Sequence, residues 1–297
     1  MQTHSQNSCF KYDEAWAILS DIEQSIKEKV ESVGTPLKNW DVEIYRGVLT
    51  GYNDAFIISS ETREEILNNC KSHDERQRTE ALIRPILRGR DIKRYGYAFA
   101  NQYLIATFPA RQYDIDDYPA LKDYLITIGK EKLEQTGKEH IVNGERIKAR
   151  KKTCNKWFET QDSISYWDEF SKPKIIWAEL SRTGNSFAYS NDGAMVLNTC
   201  YILSFNDDKC HEKELNTLLG FLNSKVALFY LNIISSKLDE TGWRWLKQFV
   251  EQIPIPTQLV FAKEGLLTNK DSASINGQLY KQLGLSQDEI EYLENLI

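Results

Sequence analysis

Apolar residues recur at three- and four-residue steps between 13 and 33. Trp16, Leu19, Ile22, Ile26, Val30 and Val33 would line one helix face, and Gly34 with Pro36 ends the pattern. The period then changes. In 42–58, Val42, Ile44 and Val48 suit an extended strand, Ala55-Phe56-Ile57-Ile58 suits a second, and Thr50-Gly51-Tyr52-Asn53 between them predicts a tight loop joining a strand pair. Helices are predicted over 61–70, 74–82 and 119–135, the last opened by Pro119. Residues 97–108 predict paired strands around Asn101, and 146–156 reads as a loop or irregular segment. Short strands are predicted at 174–180, at Ser186–Ser190 and around Cys200–Phe205, with a turn at Thr183-Gly184-Asn185. From 212 to 235 Leu215, Leu218, Leu219, Leu222, Val226, Phe229 and Ile233 restore the helical period. A short helix is expected over 243–251, before Pro254 and Pro256. The more polar tail, 258–297, ends in a helix whose Ser286 and Glu289 are spaced as a capping box. These elements predict an α+β fold: a mixed sheet of short strands flanked by helices, with a helical C-terminal part.

Composition narrows the class. The 297 residues are 41% hydrophobic and 27% charged, with seven Trp, fifteen Tyr and twelve Phe, which points to an ordinary globular chain rather than a disordered one. No apolar run approaches the roughly 18 residues that span a bilayer, and the first residues lack the basic start and apolar stretch of a signal peptide. No membrane partner is expected. The five cysteines are scattered and form no C-x-x-C, so the expected setting is the reducing cytoplasm.

The net charge of −6 hides an asymmetry. Segment 84–94 carries Arg84, Arg88, Arg90, Lys93 and Arg94 against Asp91 alone, and segment 146–156 carries Arg146, Lys148, Arg150, Lys151, Lys152 and Lys156 with no acid. These two stretches hold +10, so the rest of the chain carries −16. Each stretch is either part of a polyanion-binding surface or a solvated surface run.

Familiar catalytic patterns are missing. The sequence holds no G-x-x-x-x-G-K-[ST], no G-x-G-x-x-G, no G-x-S-x-G and no Asn-Pro-Pro-aromatic tetrapeptide. The four histidines show no metal-ligand spacing, and Cys210-His211 lacks converging ligands, so neither a metal site nor catalytic residues are assigned. The expectation is a chain that is not catalytic by itself.

Four segments carry a resemblance. The first is Gly47-Val48-Leu49-Thr50-Gly51-Tyr52-Asn53-Asp54-Ala55-Phe56, and the second is Arg84-Pro85-Ile86-Leu87-Arg88-Gly89-Arg90-Asp91-Ile92. The third is Lys172-Pro173-Lys174-Ile175-Ile176-Trp177, preceded by Lys156-Trp157-Phe158-Glu159. The fourth runs from Leu222-Asn223-Ser224-Lys225 through Phe229-Tyr230 to Ile253-Pro254-Ile255-Pro256. Taken in order, they resemble the TaqI-like C-terminal specificity domain of adenine-specific DNA methyltransferases and fused restriction–modification enzymes.

The resemblance implies a connector helix in 1–35, a DNA target recognition domain in 36–210, a helical segment packing on it in 211–257, and a C-terminal tail in 258–297. It implies double-stranded DNA as a partner, together with an adenine methyltransferase module elsewhere in a longer chain or on a separate subunit. S-adenosylmethionine and magnesium would then belong to partner domains and not to this chain. Residues expected at DNA are Thr50, Gly51, Tyr52, Asn53, Arg88, Arg90, Arg94, Lys148, Arg150, Lys151, Lys152 and Lys174. Arg88 and Arg90, flanking Gly89, are the first choice for base or phosphate contacts, since an arginine fork can donate twice to guanine. The other reading is an internal Arg90–Asp91 ion pair with Gly89 merely turning the chain. Likewise the 50–53 loop either holds a phosphate or only satisfies its own turn. Trp157 and Phe158 are expected in the core, and Asn223 and Ser224 to cap or bridge helices. The rival readings are a protein-interaction subunit of a phage-defence complex and an endonuclease with an unrecognised site.

Overall fold

The computed structural model describes residues 19–142, 144–182, 184–207, 209, 211–239, 242–256, 258 and 271–296. Its centre is a four-stranded antiparallel sheet in the order Phe187–Ser190, Lys174–Ala178, Cys200–Phe205, Val42–Arg46. The two inner strands are nearly continuous apolar runs, as expected for strands covered on both faces. Strand alternation divides their side chains between two cores. Ile44, Ile175, Trp177, Phe187, Tyr201 and Leu203 point into one, and Ile176, Ala188, Cys200 and Ile202 into the other.

The first core is closed by helices. Ile26 and Val30 of Asp21–Val33 enter it, as do residues of Glu212–Leu222, Lys225–Ile234 and Ser272–Gln282. Helix Asp21–Val33 starts at Ser20 in a full capping box, and helix Gln287–Glu294 starts at Ser286 in the box expected from the sequence. The second core contains a further four-stranded sheet in the order Met195–Val196, Ile83–Leu87, Gln102–Ile105, Ile57–Ser59. Helices Ser60–Asn68, His73–Leu82 and Pro119–Ile128 contribute to it. The molecule is therefore mixed helix and sheet with several small sheets, as the periodicity predicts.

Six local expectations change. The short helix expected over 243–251 is confined to Lys247–Val250, because the residues before it form a strand, Gly242–Arg244. Strands Val42–Arg46 and Ile57–Ser59 do not pair; each joins a different sheet, and a helical turn, Asn53–Phe56, redirects the chain between them. Nor do the two strands around Asn101 pair: Gly96–Tyr97 bonds Ile92–Lys93, while Gln102–Ile105 lies between Ile57–Ser59 and Ile83–Leu87. The helix predicted over 119–135 breaks at Gly129, whose φ of +105° lies outside the helical region. The continuous helix predicted over 212–235 is two helices bent by 66°. At the break Asn223 exchanges side-chain hydrogen bonds with the Phe187 backbone, and Ser224 caps the second helix. The first residues of segment 146–156 are a strand, Glu145–Lys148, pairing with Glu139–Val142. Residues 13–18 of the first predicted helix lie outside the described residues. Among the described residues no single helix is long and apolar enough to cross a membrane; the bent pair passes only by combined length and composition, and it is largely buried in the core.

Candidate functional site

The ends of three strands meet at one edge of the central sheet, because Ala178 is in register with Cys200 and Tyr201 with Arg46. Directly beyond Ala178, the buried Glu179 carboxylate accepts from Arg46 Nη2 at 3.0 Å and from the Arg244 guanidinium. Arg46 Nε also donates to the Asn198 carbonyl at 2.6 Å. Both arginine side chains remain about half exposed, 53% and 44%, so the carboxylate orients them without covering them. The turn Gly89–Asp91 packs against the same edge. A Cβ on Gly89 would lie 3.1 Å from that of Ala178, so the small residue permits close approach.

Arg88, not Arg90, makes the internal ion pair. Its Nε and Nη2 donate to the two Asp91 oxygens at 2.9 and 3.0 Å, and its backbone N–H adds a third bond at 2.8 Å. Burial works to raise the Asp91 carboxyl, but the Arg88 hydrogen bonds, with the charges of Arg88 and Arg90, outweigh it and hold the group below its ordinary value. Arg90 is exposed. Burial pushes the Cys200 thiol, at the same edge, up to about 12, with Asp91 and Glu179 adding to the effect, so it is no nucleophile at neutral pH. The edge thus gathers Arg46, Arg88, Arg90 and Arg244 against two carboxylates. Sequence inspection singled out neither Arg46 nor Arg244; nothing in the sequence brings positions 46, 179 and 244 together, and only the strand register does.

The 47–53 loop joins this edge to the second basic stretch. Gly47 donates to the Cys200 carbonyl, Val48 to Val196, and Leu197 to Leu87, immediately before Arg88. At its other side the Thr50 carbonyl accepts from Arg150 Nη1 at 2.9 Å. Arg150 also donates from Nε to Leu133, from Nη1 to Glu159 and from Nη2 to Trp157, all backbone carbonyls at 2.7–2.8 Å. Burial lowers its pKa to about 10, partly opposed by the charge of Glu159. Both basic stretches are therefore fastened to the same short loop.

The expected contact residues divide by this geometry. Three are corrected. Thr50 is fully buried, with its hydroxyl donating to Asn53 Oδ1 at 2.6 Å and accepting from the Tyr52 N–H at 3.2 Å. Arg150 is buried by the carbonyls just named. Lys174 is buried, donating to the Phe170 carbonyl at 2.6 Å, and burial lowers its pKa to about 8. None of the three has a surface to offer a ligand. Arg94 is exposed, with one guanidinium nitrogen donating to the Asn223 carbonyl and the group 5.6 Å from the Tyr95 ring centre. Gly51, at φ +79°, and Tyr52 are half-buried. Asn53, Arg90, Lys148, Lys151 and Lys152 are exposed. Phe158 is buried and Trp157 packs against the same core, as expected.

Among the described residues no group of three or more His, Cys, Asp or Glu side chains could hold a metal ion; Cys210 lies outside them. A small hollow of about 90 Å³ is lined by Lys172, Phe205, Asp207 and His211, apart from the arginine edge. The edge presents fixed, partly exposed guanidinium groups, an arrangement suited to holding a polyanion.

The family model of the TaqI-like C-terminal specificity domain matches residues 84–255. No curated protein matches the chain. Two solved structures are similar to it. The type IIG restriction endonuclease BpuSI shows 13% identity at a TM-score of 0.46, covering 93% of this chain and 28% of that one. The type IIL restriction–modification enzyme MmeI, in complex with DNA, shows 12% identity at a TM-score of 0.47, covering 88% of this chain and 33% of that one. The chain spans about a third of the length of these enzymes or less.

Proposed function

The chain belongs to the TaqI-like C-terminal specificity domain family, and we propose that it is the DNA-recognition part of a restriction–modification enzyme. In this reading it works in the cytoplasm and holds duplex DNA while other domains methylate adenine at N6 or cleave the strands. The observation that carries the reading is the arginine edge. Arg46 and Arg244 are held by one buried carboxylate yet half exposed, beside Arg90, and share the 47–53 loop with the exposed lysines 148, 151 and 152. Fixed guanidinium forks suit guanine edges and phosphates, and flexible lysines supply attraction without sequence preference. In this reading S-adenosylmethionine and magnesium belong to the partner domains.

The test is fluorescence anisotropy with a randomised duplex pool at several salt concentrations, followed by sequencing of the bound fraction. Affinity should fall steeply with salt, by close to one unit of logarithmic slope per phosphate neutralised. The double variant Arg46→Gln, Arg90→Gln should flatten that slope and weaken enrichment. Absence of salt-dependent binding and of any enriched sequence, also with the methyltransferase module attached, would overturn the reading.

A further inference from the structure

Strands Glu139–Val142 and Glu145–Lys148 form a two-stranded hairpin sheet of their own. Its two faces differ sharply. On the inner face His140, Val142 and Ile147 are half-buried, with His140 3.6 Å from Glu134. On the outer face the cross-strand pairs are Glu139 with Lys148 and Ile141 with Arg146. Ile141 is 79% exposed and the Arg146 side chain 76%. Arg146 lies 3.4 Å from Glu139, an exposed contact too weak to hold it.

The root of the hairpin is fixed. Ala149 donates to the Lys138 carbonyl at 2.9 Å and Gly137 to that of Arg150 at 2.8 Å, so the ladder continues into the buried Arg150. Arg150 in turn bonds the 47–53 loop, which sets the ribbon rigidly relative to the arginine edge.

Charge and shape identify what the outer face meets. Lys138, Arg146, Lys148, Lys151, Lys152 and Lys156 are exposed along this segment, against Glu139 and Glu145. One large apolar residue is too small a patch for a protein partner, which would need a cluster of buried anchors. An arginine beside a branched aliphatic side chain does match a major-groove edge, where guanine offers two acceptors and thymine a methyl group. Strands about 4.8 Å apart fit a groove roughly 12 Å wide. We infer that the outer face of this hairpin enters the major groove of duplex DNA, with Arg146 and Ile141 reading adjacent base pairs and Lys148 meeting the backbone. The inference rests on the DNA-recognition reading and assigns it a specific reading element.

The experiment uses the full chain and the sequence it enriches from the randomised duplex pool. Arg146→Gln should weaken binding to that sequence by about tenfold and relax preference at one guanine position. Ile141→Ser should relax an adjacent position by a few-fold while leaving binding to the unselected pool unchanged, because no charge is lost. Replacing the guanine at that one position by 7-deazaguanine, which lacks the major-groove N7, should cost the wild type affinity and cost Arg146→Gln little. Both side chains are solvent-exposed, and thermal melts of the variants should match the wild type. If the wild type enriches a sequence and both variants enrich it with equal affinity, the hairpin assignment is wrong and the DNA reading stands. If the wild type neither binds nor enriches duplex DNA, both fall. A dimer that Ile141→Ser disrupts in sedimentation, with DNA binding unchanged, would make the face a protein contact and overturn the inference.

Discussion

Arg146 and Arg150 sit four residues apart in one basic stretch and have opposite fates. Arg146 stands on the outer face of a ribbon, 76% exposed. Arg150 is buried, with its guanidinium donating to the carbonyls of Leu133, Thr50, Glu159 and Trp157. Alternation along the strand puts both on the same side, but Arg146 lies at the far end of the ribbon, while at its root Ala149 and Arg150, still joined to Lys138 and Gly137, are buried against neighbouring segments. One arginine is thus free to meet a ligand while the other organises the loops that aim it. Charge density in a sequence measures neither role; the number of backbone carbonyls left without a donor decides it.

The sharpest way to break this comparison is Arg150→Met. The buried Leu133 and Trp157 carbonyls would lose their donor, and those of Thr50 and Glu159 would keep only the Gln161 N–H and Gln135 Nε2, with a cost of about 3–5 kcal/mol in chemical denaturation. Arg150→Lys should recover little, because a single ammonium cannot reach all four along a planar fork. A variant within about 1 kcal/mol of wild type would show that Arg150 is not the fastener inferred from its bonds.

Gly47→Ala tests the other fastening of the same loop. A Cβ there would lie 2.1 Å from the Leu197 carbonyl oxygen and 2.4 Å from that of Val196, and both obstacles are backbone. The strands must move apart, at about 2–3 kcal/mol by equilibrium denaturation. Arg88, which follows the Leu87 carbonyl bonded to Leu197, should shift with them. DNA affinity should therefore fall along with stability, in contrast to substitutions on the ribbon. Unchanged stability would remove the close approach of 47 and 197 from the argument.

What was legible in the sequence follows the same division between local and distant causes. Ser286 with Glu289, and Pro119 at a helix start, are signals contained within four residues, and the structure repeats them. Lys174–Ala178 and Cys200–Phe205 were legible as strands because short β-rich runs need no partner to be recognised. Pairing was not: Ile57–Ser59 turned from its sequence neighbour to Gln102–Ile105, a choice made by the second core. The hairpin carried a local signal that the basic charge obscured, Asn143-Gly144 between two alternating runs, a strong short-range hairpin pattern. At the candidate site Arg90 and the exposed lysines were readable as surface charge. The joining of Arg46, Arg244 and Glu179 was invisible, since it depends on three strand ends converging.

Asp91→Asn probes an ion pair intermediate between the two arginines. The Asp91 carboxyl is held below its ordinary 3.8, so the wild type keeps the full benefit above that value and loses it as pH falls through the lower folded one. Wild type should exceed the variant by about 1–2 kcal/mol near pH 7, the worth of hydrogen bonds to a charged group. That gap should close progressively as pH drops below 3.8 in parallel acid denaturation curves. A gap that stays constant down the acid limb would mean that Arg88 does not depend on the ionised carboxylate.

The smallest expected effect is on the exposed side of the comparison. Arg146→Gln removes one weak surface contact, with Glu139, and uncovers no buried acceptor. Its stability should lie within about 0.5 kcal/mol of wild type, as for surface substitutions generally. The contrast with Arg150→Met, measured under the same conditions, is the decisive quantity, because the two residues share charge, chemistry and sequence neighbourhood. A loss at Arg146 comparable to that at Arg150 would mean that its guanidinium is spent on holding the ribbon in place. It could then not be the free fork that the outer face offers to a ligand.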